Sequence, residues 1–351
     1  MNNDNKQAPG GMKTGDAAFI FFIAATAVVL SIFVSVFIPV SKHAAENREV
    51  YITYGSGLKK ISYVLKSEGM IRNRFAFELY SIVTMSNRKF QAGEYEFSPS
   101  ISVAEMVAKL VKGDVKKHRI VIPEGSDIGD IDRIFAGAGM IEAGYIKAAA
   151  QDRPFLQSMG LDKRGAEGFL FPDTYYVIRG ETAKKIVKTM YERFRQKAPI
   201  DLDRTYEIQG YKVSGYKVLI MASIIEKESR LDTERFLVSS VFYNRLRSPE
   251  MYQKKLESCA TVRYALNKKK GIITYRDLRV DNPYNTYIRI GLPPGPICNP
   301  GLESIQAALQ PAVTNYKYFV LFENGEHTFS ETLGQHNRAK AANKIIRAEQ
   351  E

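Results

Sequence analysis

The chain has 351 residues, 45% hydrophobic and 11% aromatic, which supports two or three domains with their own cores and excludes a disordered polymer. Lys and Arg outnumber Asp and Glu 50 to 38, for a net charge of +12. No helix-turn-helix, RNP or zinc-finger pattern accompanies that charge, so nucleic acid is not read as a partner; a basic exterior also suits an anionic membrane or a carboxylate-bearing polymer. Four histidines and two cysteines lack ligand spacing, and there is no phosphate loop or G-x-S-x-G elbow, so neither metal nor cofactor is expected.

Residues 1–16 read as a polar tail. Residues 17–40 carry no charge and as a helix would reach ~36 Å, enough to cross a ~30 Å hydrocarbon core. The run exceeds a usual signal-peptide core and lacks a clean cleavage site, so it reads as a single transmembrane helix. Flanking charges leave its orientation open, with Lys6 and Lys13 before it and Lys42 and Arg48 after. Residues 41–49 form a short charged linker.

An internal echo follows. Ile52–Ile71 aligns without a gap to Ile122–Ile141, with seven of twenty positions identical at an offset of 70. Each copy predicts a strand, a Gly-Ser turn, an amphipathic helix and a glycine stop. Between the copies lie a helix from Arg74, a strand at Gly93–Phe97 and a helix from Val103 stopped by Gly113, so residues 50–117 form a strand–helix–helix–strand module. Residues 118–351 mix short strands with helices near 182–196, 217–228, 233–247 and 331–349. The fold class is α+β.

Glu226 ends an apolar run, Val218 to Ile225, broken only by Ser223. Helical spacing puts Ala222, Ser223 and Leu219 on its face, and apolar walls favour the protonated form that a general acid needs. The plainer reading is a helix-end ion pair with Arg230 at i+4. Glu228 lies about 200° around the helix and points elsewhere. No second acid must accompany Glu226; Asp173 and Asp281 come from other segments and also suit turn caps. Residues 281–301 are too rich in Pro and Gly for a helix or central strand. In that stiff loop Tyr284, Asn285, Thr286 and Tyr287 offer groups suited to N-acetyl sugars, or equally to their own backbone. Phe169, Phe171, Tyr175 and Tyr176 have the same two readings. A Cys259–Cys298 disulfide stays open.

Met221-Ala-Ser-Ile-Ile-Glu-Lys-Glu-Ser229 resembles the catalytic helix of the MltG/YceG family of membrane-anchored endolytic murein transglycosylases. The resemblance continues through Glu167–Tyr175, Val238–Leu246, Asp281–Tyr287, Gly291–Ile297 and His327–Ser330, in the family's order. It implies that Glu226 is the catalytic acid/base, that 50–117 is a LysM-like module and that 118–351 is the catalytic domain. It implies also that residues 1–16 are cytoplasmic while the rest lies outside the plasma membrane, cutting glycan strands of peptidoglycan beside the synthases that make them. Cleavage by the sugar's own 6-hydroxyl would end strand elongation with 1,6-anhydro-N-acetylmuramic acid. A silent glycan-binding adaptor and a two-carboxylate hydrolase are the alternatives. One stretch departs from the pattern: Leu256-Glu-Ser-Cys-Ala-Thr-Val262 stands where the family usually has Leu-Gln-Ser/Thr-Asp-Pro-Thr-Val.

Overall fold

The computed structural model describes residues 14–41, 46–161, 164–322 and 325–350. Most of the expected N-terminal tail, and residues 42–45 of the expected linker, lie outside them. The chain divides into two compact units: one runs to His118 and includes Ile178–Gly180, the other holds Arg119–Val177 and everything from Glu181.

The first unit opens with α1 (Thr14–Phe37), whose stretch Phe19–Phe37 is long and apolar enough to cross a membrane. It stops just before Pro39, which has no N–H to offer a further turn. The chain continues through β1 (Arg48–Ile52), α2 (Leu58–Ser67), α3 (Arg74–Val83), β2 (Gly93–Phe97) and α4 (Val103–Lys112). β1 and β2 pair antiparallel, Val50 opposite Tyr95. Asn73 caps α3 by accepting from Phe75 N at 2.9 Å, while Ser102 and Glu105 form a capping box on α4. Val50, Leu65, Phe77, Tyr95 and Met106 fill a core that also takes in Val36 from α1.

The second unit follows β3 (Lys117–Val121) with α5 (Ile128–Gly137), α6 (Tyr145–Ala149), α7 (Arg153–Ser158), β4 (Thr174–Ile178), α8 (Ala183–Lys197), β5 (Thr205–Ile208) and β6 (Tyr211–Ser214). Then come α9 (Gly215–Glu228), α10 (Arg235–Arg247), α11 (Cys259–Ala265), α12 (Leu302–Leu309), β7 (Tyr318–Leu321), β8 (His327–Ser330) and α13 (Leu333–Gln350). The strands of the described residues pair two by two: β1 with β2, β3 with β4, β5 with β6, β7 with β8. The mixture is α+β.

Both copies of the sequence echo form a strand, a turn and a helix, and the glycines at matching positions share a conformation. Gly55 and Gly125 have φ of 75° and 74°, Gly69 and Gly139 68° and 67°. That left-handed region costs a residue with a Cβ roughly 1 kcal/mol or more, which explains why these four positions are the same residue in both copies.

Helix α9 is the axis of the second unit. Ser214 caps it, and Val218 through Ile225 are all buried. At ~1.5–3 kcal/mol for each large apolar side chain, that burial outweighs the poor helix propensity of its Ile and Val. Ser223 breaks the apolar run for a reason the pattern could not show: its Oγ accepts from Ile297 N at 3.1 Å and donates to Ile220 O at 2.7 Å. The Pro-rich loop is thereby docked onto α9.

Candidate active site

Two carboxylates leave the end of α9 on opposite sides. The Glu226 side chain is 6% exposed, yet its surroundings are polar rather than the expected apolar walls. Its Oε2 accepts from Gly301 N at 3.0 Å and its Oε1 lies 3.6 Å from Arg235 Nη2. Arg230, its partner in the plainer reading, does not pair with it; Arg235 from α10 does. That guanidinium also meets Glu303 at 2.9 Å, Glu124 at 3.5 Å and Asp232. Glu226 thus belongs to a knot of four carboxylates around one buried cation. Burial, then the Glu226 charge, holds the Glu124 carboxyl above its ordinary range despite Arg235. Gly125, with φ of +74°, lies where an added Cβ would come within 3.5 Å of Glu226 Cγ, so the second Gly-Ser turn passes directly over this acid.

Glu228 faces a cavity of about 680 Å³, which Glu226 does not line. Ser258 Oγ donates to its Oε1 at 2.5 Å and Ala260 N reaches the same oxygen at 3.5 Å. No hydrogen bond among the described residues goes to Oε2. Burial raises the Glu228 carboxyl above the ordinary range, against the pull of the Ser258 and Ala260 donors and of His327 and Arg263. A raised carboxyl with one oxygen held and the other open has the form of a general acid. Around it stand Tyr287, Phe319 and His327, and the cations Arg230, Lys317 and Lys340. His327 is fixed by Glu234, which accepts from its Nδ1 at 2.6 Å and its backbone N at 2.8 Å. The other acid in the cavity wall, Glu257, is tied to Arg245 Nη2 at 2.5 Å.

Of the four loop residues expected to touch sugar, only Tyr287 lines this cavity. Its hydroxyl lies 3.0 Å from Cys259 Sγ. Asn285 is fully buried and serves its own loop, donating to Leu278 O at 3.0 Å and Val280 O at 2.9 Å and accepting from Tyr287 N. Thr286 is buried too; its Oγ1 accepts from Ser258 N at 3.0 Å and meets Thr261 Oγ1 at 2.9 Å. It therefore supports Ser258 from behind. Tyr284 packs against Tyr264, ring centres 5.0 Å apart. Phe169, Phe171 and Tyr175 are core residues, whereas Tyr176 is exposed.

The remaining candidates are structural. Asp173 accepts from Thr174 N at 2.7 Å and from Arg193 Nε at 2.5 Å; burial acts to raise its carboxyl, but those partners hold it below the ordinary range. Asp281 is an exposed partner of Arg289. Both cysteines are free thiols, Cys259 exposed and Cys298 buried.

Sequence reading singled out Glu167 only as part of a motif, and gave it no task. Burial pushes its carboxyl up to about 7. Asn299 Nδ2 donates to it at 3.1 Å, Ile128 N at 3.3 Å and Tyr264 OH at 3.4 Å. Asn299 Oδ1 in turn accepts from Leu170 N at 2.8 Å. The motif beginning at Glu167 is therefore locked to the Pro-rich loop. Gly168 is required there: at φ +87°, a Cβ would strike the Pro296 ring. A signal for Glu228 was present in the unusual stretch 256–262, because Glu257, Ser258 and Cys259 all line its cavity.

The model of the YceG-like family matches residues 50–342. An endolytic murein transglycosylase of Bacillus subtilis is 33% identical over 320 residues, covering 86% of each chain. One from Streptococcus pneumoniae is 25% identical over 346 residues; the match covers 86% of this chain and 61% of that longer one. Among solved structures, a crystallised YceG-like protein of Listeria monocytogenes aligns over 84% of this chain and 99% of its own, at 33% identity and a TM-score of 0.54.

Proposed function

The chain belongs to the YceG-like family, and on that premise we propose how its residues work. The protein is an endolytic murein transglycosylase, a lytic enzyme whose substrate is the glycan of peptidoglycan. The general acid/base is Glu228, and the observation that carries this is the open Oε2 of a carboxyl raised by burial in the large cavity. Glu226 is the positioning partner of Arg235 and Gly301.

Cleavage begins when Glu228 gives its proton to the glycosidic oxygen as the bond from that oxygen to the anomeric carbon breaks. The 6-hydroxyl of the same muramyl residue then attacks the anomeric carbon and returns its proton to Glu228. One carboxylate serves both steps and no water is consumed. A hydrolase needs a second free carboxylate to activate water or to attack, and Glu257 is engaged by Arg245. The cations Arg230, Lys317 and Lys340 suit the carboxylates of peptide stems on the glycan.

Helix α1 anchors the protein in the plasma membrane, with the unit from Arg119 onward outside the cytoplasm. Residues 50–117 form a LysM-like glycan-binding or spacing module, and cleavage beside the synthases terminates nascent strands. Digestion of isolated glycan in heavy-oxygen water tests the chemistry. Products should end in 1,6-anhydro-N-acetylmuramic acid without solvent oxygen, with mean chain length falling early. Labelled reducing ends would replace this reading with the hydrolase; a folded protein that binds glycan without cutting it would favour the adaptor.

A further inference from the structure

We propose that α3 lies in the outer face of the membrane, so that the first unit is a surface-immersed foot rather than a spacer held clear of the lipid. The proposal rests on α1 being the membrane anchor and adds a second contact with the bilayer.

Features of the first unit lead there. Helix α3 is amphipathic twice over. Its inner side buries Ala76, Phe77 and Ser81, while Phe75, Ile82 and Val83 are 62%, 54% and 70% exposed, with Leu79 half-buried between them. Positions 75, 79, 82 and 83 form one stripe at helical spacing, and Met85 extends it at 75% exposure. Residues this apolar on the wet side of a soluble helix need a cover.

The cover is identified by what α3 touches. Val36, in the last full turn of α1, is 2% exposed and packed in the core of this unit. The Phe37 ring meets Tyr80 of α3 edge-on at 6.1 Å. Arg72, just before α3, donates to Pro39 O at 2.7 Å. The end of the apolar run therefore sits against α3. Helix α1 ends at Phe37 and the uncharged run ends at Val40, so a helix packed at that level lies at the boundary of hydrocarbon and headgroups, where an interfacial helix sits. Exposed cations flank the stripe at Arg72, Arg74, Arg88 and Lys89, as anionic headgroups would require.

The chain contains no Trp, so single-Trp variants of the full-length protein report one site each. They are reconstituted in phosphatidylglycerol–phosphatidylethanolamine vesicles with brominated acyl chains. Val29→Trp, 67% exposed in α1 before substitution, is the anchor control, and Tyr54→Trp, 87% exposed off the stripe, is the aqueous control. Val83→Trp should emit to the blue of Tyr54→Trp and lose about half its intensity to chains brominated near the headgroups, the depth expected of an interfacial helix. Val29→Trp should be quenched best by deeper bromines. Val83→Trp emission matching Tyr54→Trp, and quenched by aqueous iodide, would overturn the proposal while Val29→Trp still upholds the anchor. A blue-shifted Val83→Trp untouched by bromine would mean a protein cover and would equally overturn it. An unquenched Val29→Trp would remove the anchor and this proposal together.

Discussion

Glu226 and Glu228 are two residues apart on one helix and have opposite fates. Glu226 is turned inward to a buried arginine, an amide and three further carboxylates; Glu228 is turned to a cavity with one oxygen held and one open. A helix end can deliver both because successive positions i and i+2 diverge by about 200°. The lesson concerns what surrounds an acid. Glu226 continues the apolar stripe in sequence, yet tertiary neighbours from α10 and the Pro-rich loop make its site ionic. Glu228 looks like a solvent-facing helix end in sequence, yet β7, β8, α13 and the 256–262 stretch enclose it.

The contrast can be broken at the inward side first. Replacing Arg235 by Met should leave Glu226 buried without its cation and lower the unfolding free energy by about 3–5 kcal/mol, the usual result of breaking a buried pair. Chemical denaturation measures it; a loss under ~1 kcal/mol, the scale of a surface pair, would mean that the knot does not hold the fold. Adding Glu226→Gln to that variant should restore part of the loss.

Glu167 is a third buried acid, one with a structural task. Its carboxyl is raised from 4.5 to about 7, so the folded protein binds a proton there that the unfolded chain has released. Stability from this group is therefore complete below about pH 4.5 and is lost as pH rises toward 7, by an amount on the order of 3 kcal/mol. Glu167→Gln should flatten that part of the stability–pH curve. An unchanged slope would show that the carboxyl is not protonated in the fold.

Smallest is the effect of Ser258→Ala. Its hydroxyl holds the charged form of Glu228, so its removal should carry the high-pH limb of kcat/KM to still higher pH. The optimum rate should change by less than ~10-fold, in keeping with ~1 kcal/mol for one hydrogen bond. A limb that moves to lower pH would place the titrating group elsewhere.

Much of the fold was legible because it is local. The strand–turn–helix echo, the α4 cap and stop, and the uncharged run of α1 are written in neighbouring residues and in the helical and strand periods. The site was legible as a set of segments and not as a geometry. Nothing near Asn285 or Thr286 in sequence says that one closes its own loop and the other supports Ser258 from 28 residues away. The pairing of Arg235 with Glu226, and of Asn299 with Glu167, spans distances that no helical period encodes. The departing stretch 256–262 lines the cavity that Glu228 faces, a link that the sequence could not make.

The most direct measurement compares Glu228→Gln with Glu226→Gln, each assayed for turnover of isolated glycan strands and for thermal unfolding. Glu228→Gln should lose ~100 to 10,000-fold in rate, the usual scale for a removed general acid, at an unchanged unfolding midpoint. Glu226→Gln should unfold at a lower temperature and, where folded, still cut glycan to anhydro ends. A fully folded Glu226→Gln variant without activity, beside a Glu228→Gln variant that turns over normally, would contradict the account and return the proton to Glu226.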